Sequence, residues 1–235
     1  MRIIDTKVIE DAVYGAALKA GVNLTQSCRE ALDAAYRTER GGAAKFALGK
    51  LIENSNVARD MDMPVCQDTG VAVVLLEIGN EVFFEGRLLE EAVNNGVRRA
   101  YADGYFRKSV CDPITRKNTA DNTPAAIHAE IVRGNKVRLT FMPKGFGSEN
   151  MSALYMLKPA QGTEGIISAI VSTVERAGSR PCPPVYVGVG IGGTFDGCAF
   201  LAKKALTRDI GTHSDREDIA NIEREALRRI NELDI

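Results

Sequence analysis

Pro64-Val65-Cys66-Gln67-Asp68-Thr69-Gly70 runs directly into Val71-Ala72-Val73-Val74-Leu75-Leu76-Glu77-Ile78. A proline, a polar cluster and a glycine ahead of an almost unbroken apolar run predict a loop feeding a buried strand. Loops at strand ends carry a large share of protein chemistry, and this one sets a thiol, an amide and a carboxylate side by side. A thiolate suits soft metals: zinc, Cu(I) or iron–sulfur clusters. A free cysteine also packs as a small hydrophobe, so Cys66 alone is open between filler and ligand. Gln67, Asp68 and Thr69 weigh against filler, because buried polar groups need partners. Asp68 reads either as a general acid or base, if burial raises its pKa, or as a turn-capping aspartate.

Working upstream, Ile4, Val8, Ala12 and Ala16 recur every four residues with Ile9, Val13, Ala17 and Ala20 beside them. This is one apolar helix face, and Gly21 can end it. Asn23 or Thr25 can cap a second helix to about Glu39, Gly41-Gly42 breaks it, and Phe46 to Val57 marks a third running toward Met61. Downstream, the pattern predicts a helix over Leu88–Ala102 and strands over Ala125–Val132 and Val137–Met142, joined by a hairpin turn at 133–136. A glycine loop over 143–150 follows. Then come a short helix over 152–157, a helix over Gly162–Ala177, a strand over Val185–Ile191, a helix from Gly192-Gly193-Thr194 to Leu206, and a charged tail striped by Ile219, Ile222, Leu227 and Ile230. The fold class is therefore α+β: an N-terminal helical segment (1–60), then a mixed β-sheet with packed helices (61–235), in one domain. Tyr105 to Pro124 has no period. It is polar but anchored by apolar elements at both ends, which reads as functional. His128 lies in a strand and reads as structural; His213 lies in a polar loop.

A chain of 235 residues with 45% hydrophobic content has room for a real core. A net charge of -1 gives no bulk pull toward nucleic acid or membrane. No apolar run reaches the length a bilayer needs, and Asp5 enters too early for a signal peptide. The five cysteines, Cys28, Cys66, Cys111, Cys182 and Cys198, are widely spaced and include no CxxC pair. A disulfide framework is disfavoured and a reducing cytoplasmic setting fits. Any metal site has to be assembled by the fold from distant segments.

Gly188-Val189-Gly190-Ile191-Gly192-Gly193 matches GxGxxG between a predicted strand and a helix. No acidic residue closes a second strand about 20 residues on, as a dinucleotide site needs. Close helix packing and anion binding at a helix start are the other readings. Lys144-Gly145-Phe146-Gly147-Ser148 offers amides and an ammonium, either an anion nest or a plain turn. Arg107 reads as a carboxylate clamp or as a solvated loop arginine.

Taken together, these stretches resemble the class I fumarase and L-tartrate dehydratase family of iron–sulfur hydro-lyases. The match lies in Pro64-Val65-Cys66-Gln67-Asp68-Thr69-Gly70, in Arg107-Lys108-Ser109 with Asp112-Pro113, in Arg116 to Pro124, in Lys144 to Asn150, and in Cys182-Pro183-Pro184 with Gly188 to Gly193. The resemblance covers nearly the whole chain in order and identifies it with the alpha subunit, or N-terminal domain. It implies an oxygen-sensitive [4Fe-4S] cluster held by three cysteines, with one iron open to substrate. By motif, Cys66 and Cys182 are cluster ligands. Gln67 and Asp68 are substrate-contacting and catalytic neighbours, and Arg107, Lys144 and Gly145 belong to the carboxylate pocket. The family's third cysteine lies in a segment beyond Ile235, so a C-terminal truncation is expected; Cys111 and Cys198 do not sit in that motif. The resemblance further implies a beta subunit that supplies the base, an oligomer, a small dicarboxylate substrate (fumarate/malate, tartrate or mesaconate), and inactivity of this chain alone. The rivals are a cluster-free binding or scaffold domain, which iron content would separate, and a nucleotide-binding domain, which NAD(H) titration would separate.

Overall fold

Asp5 ends a strand and starts a helix. Arg2–Asp5 forms β1, and the Asp5 carboxylate accepts a hydrogen bond from the Lys7 amide at 2.8 Å, capping α1 (Thr6–Val22). The sequence pattern placed Ile4 on the helix face. In this computed structural model, which describes residues 1–233 and 235, the cap delays the helix to Thr6, and Ile4 enters the same core from β1. Thr25 caps α2 (Gln26–Thr38) by accepting from the Cys28 amide, and α3 (Gly42–Asp60) packs on α2.

β2 (Val71–Gly79) follows the Cys66 loop, and β3 (Val82–Glu85) pairs in parallel with β1, Ile3 opposite Phe83. These two short strands went unread in the sequence. α4 (Leu89–Asp103), β4 (Ala126–Val132) and β5 (Val137–Lys144) complete the first unit. The expected β4–β5 hairpin does not form. β2 lies between them in the order β4-β2-β5, parallel to β4 and antiparallel to β5. β2 takes the centre because it is apolar on both faces and buried along nearly its whole length. Residues 133–136 therefore bridge across the end of β2 instead of closing a two-stranded ladder. Ala72, Val74, Leu76 and Ile78 of β2 meet Ile9 and Val13 of α1 and Val93, Val97 and Tyr101 of α4 in one buried cluster. At about 25 cal/mol per Å² of apolar surface, that cluster is the main stabilising term of the unit.

The chain divides into two compact units, Met1–Phe146 and Gly147–Ile235. After the short α5 (Phe146–Glu149), the second unit holds α6 (Gly162–Ala177), α7 (Phe195–Ala205) and α8 (Glu217–Ile230). α6 packs on α8, and Arg229 grips Glu164 with two bonds of 2.6 and 2.9 Å. Residues 152–157 are not helical; the helical turn comes earlier, at Phe146–Glu149. Residues 185–191 join no ladder among the described residues, and Tyr186, Val187, Val189 and Ile191 are exposed. An apolar run alone does not make a strand without a neighbouring backbone to bond. His128 lies in β4 as read, and His213 sits 3.1 Å from Glu223. Among the described residues no helix is long and apolar enough to cross a membrane.

Candidate functional site

The Cys66 loop is fastened at both ends. At its entry the Val65 amide donates to the Gly21 carbonyl at 2.9 Å, and Asn54 Nδ2 donates to the Val65 carbonyl at 2.8 Å. At its exit Gly70 has φ 71°, and a Cβ there would fall 2.1 Å from the Lys144 carbonyl oxygen. Only glycine meets both demands. Val71 then pairs with Lys144, so the Cys66 loop lies beside Lys144-Gly145. Asp68 is half-buried between two walls. Its Oδ1 accepts from Ser109 Oγ at 3.3 Å, and a Cβ on Gly145 would stand 3.1 Å from its Oδ2. Cys66 and Gln67 are exposed. A cleft of about 140 Å³ runs alongside, lined by Gly21, Cys66, Asp68, Thr69 and Pro143 among others.

The irregular stretch after α4 is ordered by its own polar groups. Phe106 is buried edge-on against Tyr101, with ring centroids 5.4 Å apart, and Arg107 emerges exposed immediately after it. The Thr119 amide donates to the Val110 carbonyl at 3.0 Å and the Asp112 amide to the Lys117 carbonyl at 2.9 Å, with Cys111 bridged to Asn118. Hydrogen bonds from the Thr115 amide and hydroxyl and the Ile114 amide hold the Asp112 carboxyl below the usual range. The stretch returns to the Cys66 loop through Asn122, which is fully buried. Asn122 Oδ1 accepts from the Ser109 amide at 2.7 Å and the Val110 amide at 3.2 Å, and its Nδ2 donates to the Gly70 carbonyl at 3.0 Å. Tyr101 donates to the same carbonyl at 3.1 Å. Burial, and secondarily the charge of Asp68, push the Tyr101 phenol far above its ordinary pKa, so it stays a neutral donor.

In the second unit Cys182 is exposed at φ 61°, between Pro181 and Pro183, a left-handed conformation uncommon for a non-glycine residue. The GxGxxG segment lies against α7. A Cβ on Gly188 would sit 2.2 Å from the Ala202 carbonyl oxygen, and one on Gly190 2.0 Å from that of Cys198. Of the readings open to this motif, close helix packing is the one the geometry supplies. Among the described residues the strand that a dinucleotide fingerprint requires is missing, and Asp196 already occupies the first turn of α7 with its carboxyl lowered by Thr194. Cys198 Sγ contacts the Phe195 carbonyl at 3.4 Å within α7.

The fold thus draws Cys66, Gln67, Asp68, Lys144 and Gly145 to one end of β2, with Arg107 two residues from Ser109, which bonds Asp68. Cys182 belongs to the second unit. Ser109, Asn122 and Tyr101 are the parts that sequence reasoning left without a role. An asparagine ahead of Thr-Pro in a stretch without period was the available signal, since Asn tolerates positive φ, here 62°. Among the described residues no three His, Cys, Asp or Glu side chains stand close enough to share a metal ion. As donors, two exposed and unbridged thiols suit iron–sulfur chemistry, and a cluster would need at least one further ligand beyond them.

Comparison with known proteins gives the family. The chain belongs to the fumarate hydratase (fumerase) family, whose model matches residues 10–235. It is 40% identical over 233 residues to a Methanocaldococcus jannaschii protein named "Putative L(+)-tartrate dehydratase subunit alpha", covering 97% of this chain and 82% of that one. It is 26% identical to a Geobacillus stearothermophilus protein named "Putative fumarate hydratase class I", over 96% of this chain and 46% of that one. It is also 26% identical to an Escherichia coli "L(+)-tartrate dehydratase subunit alpha", over 84% and 66% respectively.

Proposed function

We propose that this chain is the alpha part of a hydro-lyase that adds water to, or removes it from, a small dicarboxylate, with fumarate/malate as the first substrate pair. The observation that carries the reading is the Cys66-Gln67-Asp68 loop, pinned at the start of β2 with an exposed thiol near a carboxylate that is bonded by Ser109 and lies close against Gly145. Cys66 and Cys182 would hold a [4Fe-4S] cluster, with the remaining ligand supplied from outside the described residues. The left-handed backbone at exposed Cys182 supports that role, since strained positions cluster at functional sites. When bound, such a cluster supplies a Lewis acid that polarises a substrate hydroxyl.

The chain's own residues do the rest. Arg107 takes one substrate carboxylate through its two parallel N–H donors. The Gln67 amide, exposed beside Cys66, donates to a substrate oxygen and orients it. Gly145 presents a bare backbone, and with Lys144 it receives the second carboxylate. Asp68 is held by Ser109 at Oδ1, leaving Oδ2 to hold or pass a proton at the reacting centre. A beta partner supplies further carboxylate contacts and the base for the C–H proton, so this chain alone is inactive, and the enzyme works in the cytoplasm. Tartrate is the second substrate reading, favoured by the name of the 40% identical relative.

The test is anaerobic reconstitution of the chain with a beta subunit of this family, followed by fumarate, malate and tartrate assays and iron and sulfide analysis. Iron-dependent turnover, lost with its iron in Cys66→Ala and Cys182→Ala, is the expected result. Iron-loaded complex without dicarboxylate turnover, or full iron in both variants, would overturn the reading.

A further inference from the structure

Two segments far apart in sequence, 68–70 and 109–122, meet through two side-chain hydrogen bonds, one from Ser109 and one from Asn122. Ser109 Oγ donates to Asp68 Oδ1 at 3.3 Å. Asn122 closes the circuit: its Oδ1 receives the amides of Ser109 and Val110, and its Nδ2 reaches the Gly70 carbonyl at 3.0 Å. The Asn122 side chain is fully buried and uses both ends, so its position is determined on two sides. Its backbone lies in the left-handed region at φ 62°, which asparagine tolerates better than most side chains. Tyr101, fixed by the core, bonds the same Gly70 carbonyl from below.

We infer that Ser109 and Asn122 are positioning residues for Asp68: Asn122 locks the Ser109 backbone against Gly70, and the Ser109 hydroxyl then selects one rotamer of the Asp68 carboxylate. Without the hydroxyl, the carboxylate keeps its place beside Gly145 but loses the one side-chain hydrogen bond it makes among the described residues. The fold alone would hold the loop in place; the pair adds direction to the carboxylate. The inference rests on the hydro-lyase reading for its catalytic consequence and on the hydrogen bonds alone for its structural one.

The experiment has an arm for each. In the chain alone, side-chain coupling constants from nuclear magnetic resonance report the Asp68 χ1 rotamer without any metal. The parent should show one rotamer, Ser109→Ala an average, and Ser109→Thr a return to one. Asn122→Asp keeps acceptors for the Ser109 and Val110 amides but lacks the donor to Gly70, and it should average Asp68 as Ser109→Ala does. In the reconstituted complex, Ser109→Ala should lower kcat about tenfold with KM within about twofold and iron content unchanged, the pattern of a lost transition-state contact. Ser109→Thr should recover most of the rate. A single Asp68 rotamer in Ser109→Ala, or a kcat equal to the parent's, overturns the inference; an unaffected Asn122→Asp removes Asn122 from it. If the parent complex turns over no dicarboxylate, the hydro-lyase reading fails while the coupling constants still decide the positioning.

Discussion

Gly70 and Lys144 approach so closely that a Cβ on the glycine would lie 2.1 Å from the lysine carbonyl oxygen. The contact joins the exit of the Cys66 loop to the last residue of β5, across the Val71–Lys144 pair. Gly70→Ala has to relieve the clash and adopt φ 71° as well. It should destabilise the first unit by about 2–4 kcal/mol, read as a lower urea midpoint in circular dichroism. An unchanged midpoint would mean that the loop is not pressed on β5.

Thr69 should behave in the opposite way. It is buried, and its hydroxyl has no hydrogen-bond partner among the described residues. Thr69→Val keeps the shape and removes an unpaired polar atom, so it should raise stability by about 1 kcal/mol. A loss of that size would show that the hydroxyl has a partner, an internal water for example, and calorimetry distinguishes the signs.

Acid should weaken the α1–α4 contact. Glu10 is almost fully buried and bonds Lys7 at 2.6 Å and Arg99 at 2.8 Å. The Lys7 hydrogen bond first, and Arg99 with it, hold its carboxyl below its ordinary 4.5 against the opposing effect of burial. A depressed folded pKa contributes stability that is present above 4.5 and lost as pH falls through the lower folded value. Unfolding midpoints measured from pH 7 down to pH 3 should therefore drop for the parent. They should drop less for Glu10→Gln, which starts lower at pH 7. Parallel curves would remove Glu10 from the acid response.

Arg107 gives the most direct test of the carboxylate pocket. In the reconstituted complex Arg107→Ala should cut kcat/KM by about 30-fold or more, the equivalent of ~2 kcal/mol for a lost charge-assisted pair. Arg107→Lys should recover only part, since an ammonium has no planar fork. Equal kinetics in Arg107→Ala would leave Arg107 a solvated loop residue.

The sequence made the elements of strongest period legible. α1, α4 and the central strand Val71–Gly79 lie within a residue or two of their expected bounds because their apolar faces are long and continuous. β1 and β3 escaped because four-residue strands carry too little alternation, and because Ile4 fits a helical face as well as a strand. The order β4-β2-β5 escaped for a different reason. A turn at 133–136 reports a reversal of direction but not what lies in the gap, and only the burial of β2 on both faces decides that. At the site, the chemistry-bearing loop was readable from Cys66, Gln67 and Asp68. The grip on it was not, because Ser109 and Asn122 act across more than thirty residues of intervening chain.

That strand order also sets a timetable for synthesis. The polypeptide is made in the direction of increasing residue number, so the Cys66 loop emerges long before the segments that enclose it. Ser109, Asn122 and finally Lys144-Gly145 must appear before its exit can close against β5. Until then β2 lacks its β5 neighbour, and an apolar strand and a bare thiol share an unfinished edge. Stalled chains ending before Gly145 should therefore be alkylated at Cys66 without any structural discrimination. Chains that have released the whole first unit should present that thiol in one fixed setting before the second unit is complete.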